Sequence, residues 1–187
     1  MTSNKIGLAA AIAVGMALTG CNQGTETADG NASATGASED RNIGAALAAN
    51  DDLSGTNDLV RAAKLDTVLT GPGPYTVFAP SNAALGELPD DVVTAMKQEQ
   101  ARAQLTDMLT GHIVPGTVTV ADLTAAIEKG DGKAEIKTMA GDMLTVTRNR
   151  DTLMVAAPGG KPVRIGAQPS TANNGIIHTV EGVLTRS

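Results

Sequence analysis

Two histidines, one cysteine, a serine beside a proline and two pairs of adjacent aspartates are the side chains of this sequence whose types and spacing invite chemistry. His112 and His178 are the only imidazoles. A zinc-type site needs three or four nitrogen, sulfur or oxygen donors, and neither histidine has a thiol or carboxylate companion at a suitable spacing. His178 lies inside the apolar run Ile176-Ile177-His178-Thr179-Val180, where a neutral ring bonded to backbone is the ordinary outcome. His112 stands just past a helical stretch, where a ring can meet the last open carbonyls. Ser81 lacks the Gly-x-Ser-x-Gly setting of an activated serine and occupies a helix-capping position instead. Asp51-Asp52 and Asp90-Asp91 fall at a helix break and a helix start, so both pairs read as solvated surface rather than as an acid and its base. Gly71-Pro72-Gly73-Pro74 is a turn, because no Lys-Ser/Thr and helix follow it to hold a phosphate. The sequence therefore predicts no catalytic residue, no metal and no cofactor.

The remaining reactive group, Cys21, is the only thiol and has no partner for an internal disulfide. It follows Leu18-Thr19-Gly20, and these four residues resemble a bacterial lipobox, in which the cysteine is acylated and the signal is cut in front of it. Upstream, Lys5 supplies a positive start and Ile6 to Ala17 a small-residue apolar run too short to span a bilayer. Residues 1–20 thus read as a lipoprotein signal peptide and Cys21 as the lipidation site, with the membrane as a partner through its lipid. Two or more acyl chains, at about 0.8 kcal/mol per buried methylene, make a lasting anchor where one is marginal. Asn22 is not the aspartate that marks inner-membrane retention, so the resemblance implies an extracytoplasmic protein of the cell envelope, with the outer membrane favoured. Residues 21–41 consist of small and polar residues and acids without periodic apolar positions, a disordered acidic tether that cannot bury enough surface to offset its chain entropy. A formal charge of −6 argues against nucleic acid and against attraction to anionic lipid.

Positioning the candidate residues falls to residues 42–187, a length suited to one domain. Tyr75-Thr76-Val77-Phe78-Ala79 alternates as a strand does and holds the only Tyr and the only Phe. Pro80 has no N–H for a ladder and is expected to end it, with Ser81-Asn82 capping a helix through Ala83-Ala84-Leu85. Helical spacing recurs at Ile43, Ala46 and Leu47 and at Leu59, Val60 and Ala63, with breaks expected at Asn50-Asp51-Asp52 and around Ser54-Gly55. Leu65, Val68 and Leu69 make a further turn. Pro89-Asp90-Asp91 opens a helix carrying Val92, Val93 and Met96, and Ala101, Leu105, Met108 and Leu109 share one face of another, which Gly111 ends. Thr119 caps Val120 to Lys129, with Leu123, Ala126 and Ile127 inward. The period then switches to two, and 134–138, 143–148, 152–156 and 163–165 read as a meander of strands. With one Phe and no Trp, Met96, Met108, Met139, Met143 and Met154 are expected to fill the core. Helices first and antiparallel strands later make an α+β domain, with Tyr75 to Ala79 and a last strand from Ile176 to Leu184 contributed to the sheets.

Three boxes carry a family resemblance. Thr76-Val77-Phe78-Ala79-Pro80-Ser81-Asn82-Ala83-Ala84-Leu85 resembles the first signature of fasciclin domains, and Asn174-Gly175-Ile176-Ile177-His178-Thr179-Val180-Glu181-Gly182-Val183-Leu184 is similar to their closing signature. Between them, Leu109-Thr110-Gly111-His112-Ile113-Val114-Pro115-Gly116 looks like a third, with Gly111 where the family usually carries Tyr. That departure removes a ring and its hydroxyl beside His112, leaving a place to be refilled or left looser. The resemblance implies one fasciclin-like domain, α+β, with antiparallel sheets forming a wedge and several short helices packed against them. It also implies adhesion to an envelope or extracellular protein or polysaccharide, with Phe78, Pro80, Ser81, Asn82, His112 and His178 as candidate binding or structural residues.

Two functional readings follow: an anchored binding module without catalysis, or an envelope small-molecule-binding protein or hydrolase. A structural envelope protein with no separable ligand is a third. The anchor is directly testable. Cys21→Ser should abolish incorporation of a fatty-acid analogue while the domain folds normally, and equal labelling of both proteins would refute lipidation at this residue.

Overall fold

Tyr75–Pro80 forms the first strand, β1, of the computed structural model, and every residue from Thr76 to Pro80 is buried. The structure describes residues 41–186; the expected signal peptide, Cys21 and the tether up to residue 40 lie outside the described residues. Both faces of β1 are covered. Val77 and Ala79 join a helical cluster containing Ile43, Leu47, Leu59 and Leu69, whereas Phe78 belongs to a second cluster with Val114, Leu123, Val146 and Val155.

Four strands make the sheet around β1, in the order β2-β1-β8-β7. β2 (Ile113–Pro115) runs antiparallel to β1, and β7 (Ser170–Ala172) runs antiparallel to β8 (Gly175–Val180). The central pair, β1 and β8, is parallel, in register from Tyr75 opposite Gly175 to Pro80 opposite Val180. Parallel strands need a long crossover, and here it comprises most of the domain. The second sheet is the expected meander: β3 (Lys133–Lys137), β4 (Met143–Asn149), β5 (Thr152–Ala156) and β6 (Val163–Arg164), each antiparallel to the next. A bridge between Ile165 and Val180 ties the two sheets together.

The helices are α1 (Ile43–Ala48), α2 (Ser54–Ala62), α3 (Asp66–Thr70), α4 (Asn82–Gly86), α5 (Asp90–Met96), α6 (Arg102–Thr110) and α7 (Val120–Lys129). Side chains cap the starts of α1, α4 and α7. Asn42 accepts from the Ala45 N–H, Ser81 from the Ala84 N–H, and Thr119 forms a reciprocal capping box with Asp122. The Thr119 contacts hold the Asp122 carboxyl below its ordinary pKa.

The α+β class and the meander stand as expected, and several local expectations are corrected. Ser54-Gly55 does not break a helix; it begins α2, directly after a single 3-10 turn at Asp51–Leu53. Pro80 does not end the pairing, since it sits opposite Val180 and the next N–H, that of Ser81, still donates to the Val180 carbonyl. Its carbonyl accepts the buried Thr56 hydroxyl at 2.6 Å. The last strand stops at Val180, and the chain bends at Glu181-Gly182. Gly111 caps α6 at φ −68°, a right-handed conformation open to any residue, so it is no left-handed stop. Ala126 is exposed, and Met139 and Met143 are 42% and 43% exposed rather than core filler, because they flank the β3–β4 turn. Three residues are too few for alternation to show β2 or β7, although the Asn173-Asn174-Gly175 turn that joins β7 to β8 is a hairpin signal.

Candidate functional site

The six candidate residues fall along β1 and its neighbours, and the structure brings them into two groups. At the end of β1, Asn82 is an exposed residue with every side-chain polar atom used. Its carbonyl oxygen accepts the Gly55 N–H at 2.9 Å, and its amide donates to the Asp51 carbonyl at 2.7 Å and the Ser54 hydroxyl at 2.9 Å. Ser81 caps α4, at 3.2 Å from the Ala84 N–H, and Pro80 receives Thr56. This group binds α4 and the end of β1 to the start of α2.

Phe78, His112 and His178 form the second group. Phe78 and His178 are register partners across the parallel pair, and their rings stack with centroids 5.4 Å apart and planes 21° from parallel. The Phe78 N–H donates to the His112 carbonyl. His112 is itself buried, with one ring nitrogen, Nδ1, 2.8 Å from the Met108 carbonyl, and the other, Nε2, accepting the Leu184 N–H at 3.0 Å. An acceptor at Nε2 and a carbonyl opposite Nδ1 specify one neutral tautomer, protonated at Nδ1. The wholly buried His178 donates from Nε2 to the Val118 carbonyl at 2.7 Å, and its Nδ1 has no hydrogen-bond partner among the described residues. Burial pushes both imidazoles below the ordinary histidine pKa; the backbone carbonyls, Met108 for His112 and Val118 for His178, oppose this more weakly.

Sequence reasoning missed two further fasteners of the same kind. The Thr76 hydroxyl, fully buried, donates to the Gly116 carbonyl and accepts the Val118 N–H, so it fixes the loop after β2. Asn174 accepts from the Ile43 N–H and donates to the Leu69 and Gly71 carbonyls, tying α1 and α3 to the start of β8. Both residues stood inside the recognised boxes, and a polar side chain in a run otherwise bound for the core was the available signal.

Outside these groups, a cleft of about 320 Å³ opens beside Gly111, with Met108, Leu144, Ala157 and Leu184 among its lining residues. Arg186 bridges its rim, pairing with Asp107 and, at 3.1 Å, with Asp142; these two carboxylates raise its guanidinium pKa. Among the described residues, no three His, Cys, Asp or Glu side chains converge as metal ligands, and no helix is long and apolar enough to cross a membrane.

Two four-stranded sheets, one built on a buried parallel pair and tied to the other by the Ile165–Val180 bridge, with short helices packed against them, define an α+β domain whose signature polar residues fasten backbone to backbone. The profile of the fasciclin domain family matches residues 51–186, and the chain belongs to that family. It is 32% identical to protein sll1483 of Synechocystis over 137 residues, covering 73% of this chain and 69% of that protein. It is 34% identical to mouse stabilin-1 over 145 residues, 77% of this chain but 5% of that much longer protein. Among solved structures, a FAS1 domain pair from the insect cell adhesion molecule fasciclin I matches with a TM-score of 0.61 at 16% identity, covering 79% of this chain and 52% of that one.

Two stability effects follow from these contacts. Asn82→Ala removes three hydrogen bonds at a junction of three segments and should cost about 1–3 kcal/mol in denaturant unfolding; an unchanged midpoint would show that the junction is not structural. The histidines set a pH dependence. Their folded pKa values lie below the unfolded value, so the unfolded chain binds more protons as pH falls below about 6.5. Stability should therefore be full above that pH and fall on acidification, by at most about 2.7 kcal/mol per pH unit for two protons. Urea unfolding of wild type, His112→Gln and His178→Gln measures each share, and a flat profile below neutrality would refute it.

Proposed function

We propose that this protein is a membrane-anchored, extracytoplasmic binding or adhesion module of the cell envelope that recognises a macromolecular partner and carries out no catalysis. One observation carries the reading: the side chains with most chemistry to offer are already committed to the domain's own backbone. Ser81 caps α4, His112 is engaged at both ring nitrogens, and His178 is buried against Phe78. A nucleophile and a base must reach each other and a substrate, and these residues are held apart from any such meeting.

Family membership supports the reading, since the fold match is to a protein described as a cell adhesion molecule. The lipobox at Cys21 and the tether after it supply attachment and reach. A protein partner is favoured over a polysaccharide. The only two aromatic rings are Phe78, wholly buried, and Tyr75, packed against the helical cluster, so neither stands free to stack on a sugar. Exposed Met139 and Met143, with half-exposed arginines such as Arg164, are side chains that protein interfaces use.

Copies fixed in one membrane raise the effective concentration of a weak contact. Lipidated protein on vesicles should bind envelope proteins at least about tenfold more tightly than the soluble domain does, read by co-sedimentation. Equal binding would remove avidity from the account. Turnover of a hydrolase substrate that is lost in folded Ser81→Ala, or in either His→Ala variant, would replace the binding module with the enzyme.

A further inference from the structure

The segment after β8 lines the cleft beside Gly111 without forming a strand, and it meets the rest of the domain closely at three places. Leu184 is buried and its N–H donates to His112 Nε2. Thr185 passes so close to Gly160 that a Cβ there would lie 2.3 Å from the Thr185 carbonyl oxygen. Arg186 spans Asp107 of α6 and Asp142 of the β3–β4 turn.

The first contact differs from the others because it depends on a lone pair. A second proton on His112 must go to Nε2, since Nδ1 already faces the Met108 carbonyl. That proton turns the acceptor into a donor pointing at the Leu184 N–H and places a charge in a buried site. Both effects end the contact. We propose that residues 182–186 are a strap which neutral His112 clips shut and which acid releases, uncovering the apolar side chains of Leu144 and Ala157 beneath it.

The charged groups around the clip do not rescue it. From α6 comes Asp107, from the β3–β4 turn Asp142, and from the strap Arg186, and these three are already paired with one another. β1 and β2 meet the His112 segment through backbone and apolar side chains. The sign follows from burial. The clipped ring binds a proton less readily than the released one, so the strap is held fully above about pH 6.5 and is progressively lost below it. One proton is linked to the step, so the open fraction should rise by up to about tenfold per pH unit. The Arg186 bridge opposes release throughout this range, because its guanidinium stays charged.

The test is NMR-detected hydrogen exchange on the full chain between about pH 7.5 and about pH 5, with protection at Leu184 compared with protection at Val77 in β1. The expected result is a lower protection factor at Leu184 that falls by up to about tenfold per pH unit on acidification. His112→Gln keeps an acceptor carbonyl but cannot titrate, and should remove that dependence, whereas His178→Gln should leave it. Arg186→Ala should raise the open fraction at every pH without changing the slope. Should His112→Gln fail to fold, ring nitrogen shifts of the wild type decide instead: protonation of Nε2 must track deprotection of Leu184. Exchange of Leu184 at the same free energy as Val77 at every pH would overturn the strap, as would a charged His112 ring with Leu184 still protected. The strap belongs to the domain alone, so this outcome is independent of what the domain binds.

Discussion

The parallel pairing of β1 with β8 is the constraint on which the rest of the domain depends. The two strands are far apart in sequence and largely buried on both faces, so most of their polar groups must be satisfied within the protein. Their close approach demands Gly175, at φ +152°, because a Cβ there would lie 1.9 Å from the Tyr75 carbonyl oxygen. Each strand end must then be closed by something other than another strand. Asn174 does this at the Tyr75 end, and Thr56 with Asn82 does it at the Pro80 end. Helices α1, α2 and α3 are thereby fixed to the sheet by side-chain hydrogen bonds as well as by their apolar faces.

The same constraint explains why the signature residues are what they are. A leucine at His112 could fill the volume, yet it would leave the Leu184 N–H and the Met108 carbonyl without a side-chain partner. A serine at Asn82 could reach one neighbour but not three. These are long-range fasteners, joining residues such as His112 and Leu184 that are far apart in sequence, and each closes a loop whose entropy it must offset. The boxes are therefore a record of how this topology satisfies its interior. The surface that meets a partner has fewer requirements, and its residues need not resemble those of relatives with other partners.

Much of this was legible in the sequence, for identifiable reasons. The meander showed because period-two alternation and the turns at Asn149-Arg150-Asp151 and Pro158-Gly159-Gly160 are local signals. α7 showed because Thr119 is a local cap type ahead of helically spaced Leu123 and Ile127. The hydrogen-bonded roles of His112 and His178 were readable from their apolar and helix-end settings, as was a last-turn helix carbonyl for His112, but their long-range partners were not. Val118 and Leu184 are set by loop packing, which no spacing encodes. The parallel direction of β1 and β8 was hidden for the same reason, since alternation fixes faces and says nothing of strand direction. Met139 and Met143 misled because methionine is compatible with a core, and only the position of the β3–β4 turn puts them outside.

Gly111 shows how a departure from the family pattern can leave the core intact. Its right-handed φ places no demand for glycine on the backbone, and a Cβ there would sit 3.1 Å from the Met108 carbonyl oxygen and 3.9 Å from Asp142 Oδ2. A larger side chain would thus point between α6 and the β3–β4 turn, into the space that is now the cleft. His112 does not register the loss, because both of its hydrogen bonds are made to backbone atoms, of Met108 and Leu184, and neither needs a neighbouring ring. What changes is the support for the strap. Where a bulky residue at 111 would wedge the cleft, this chain relies on an exposed ion-pair bridge from Arg186 and on one imidazole lone pair. An exposed bridge contributes little on its own, which leaves the imidazole as the stronger of the two fastenings and the only one whose strength changes near neutral pH.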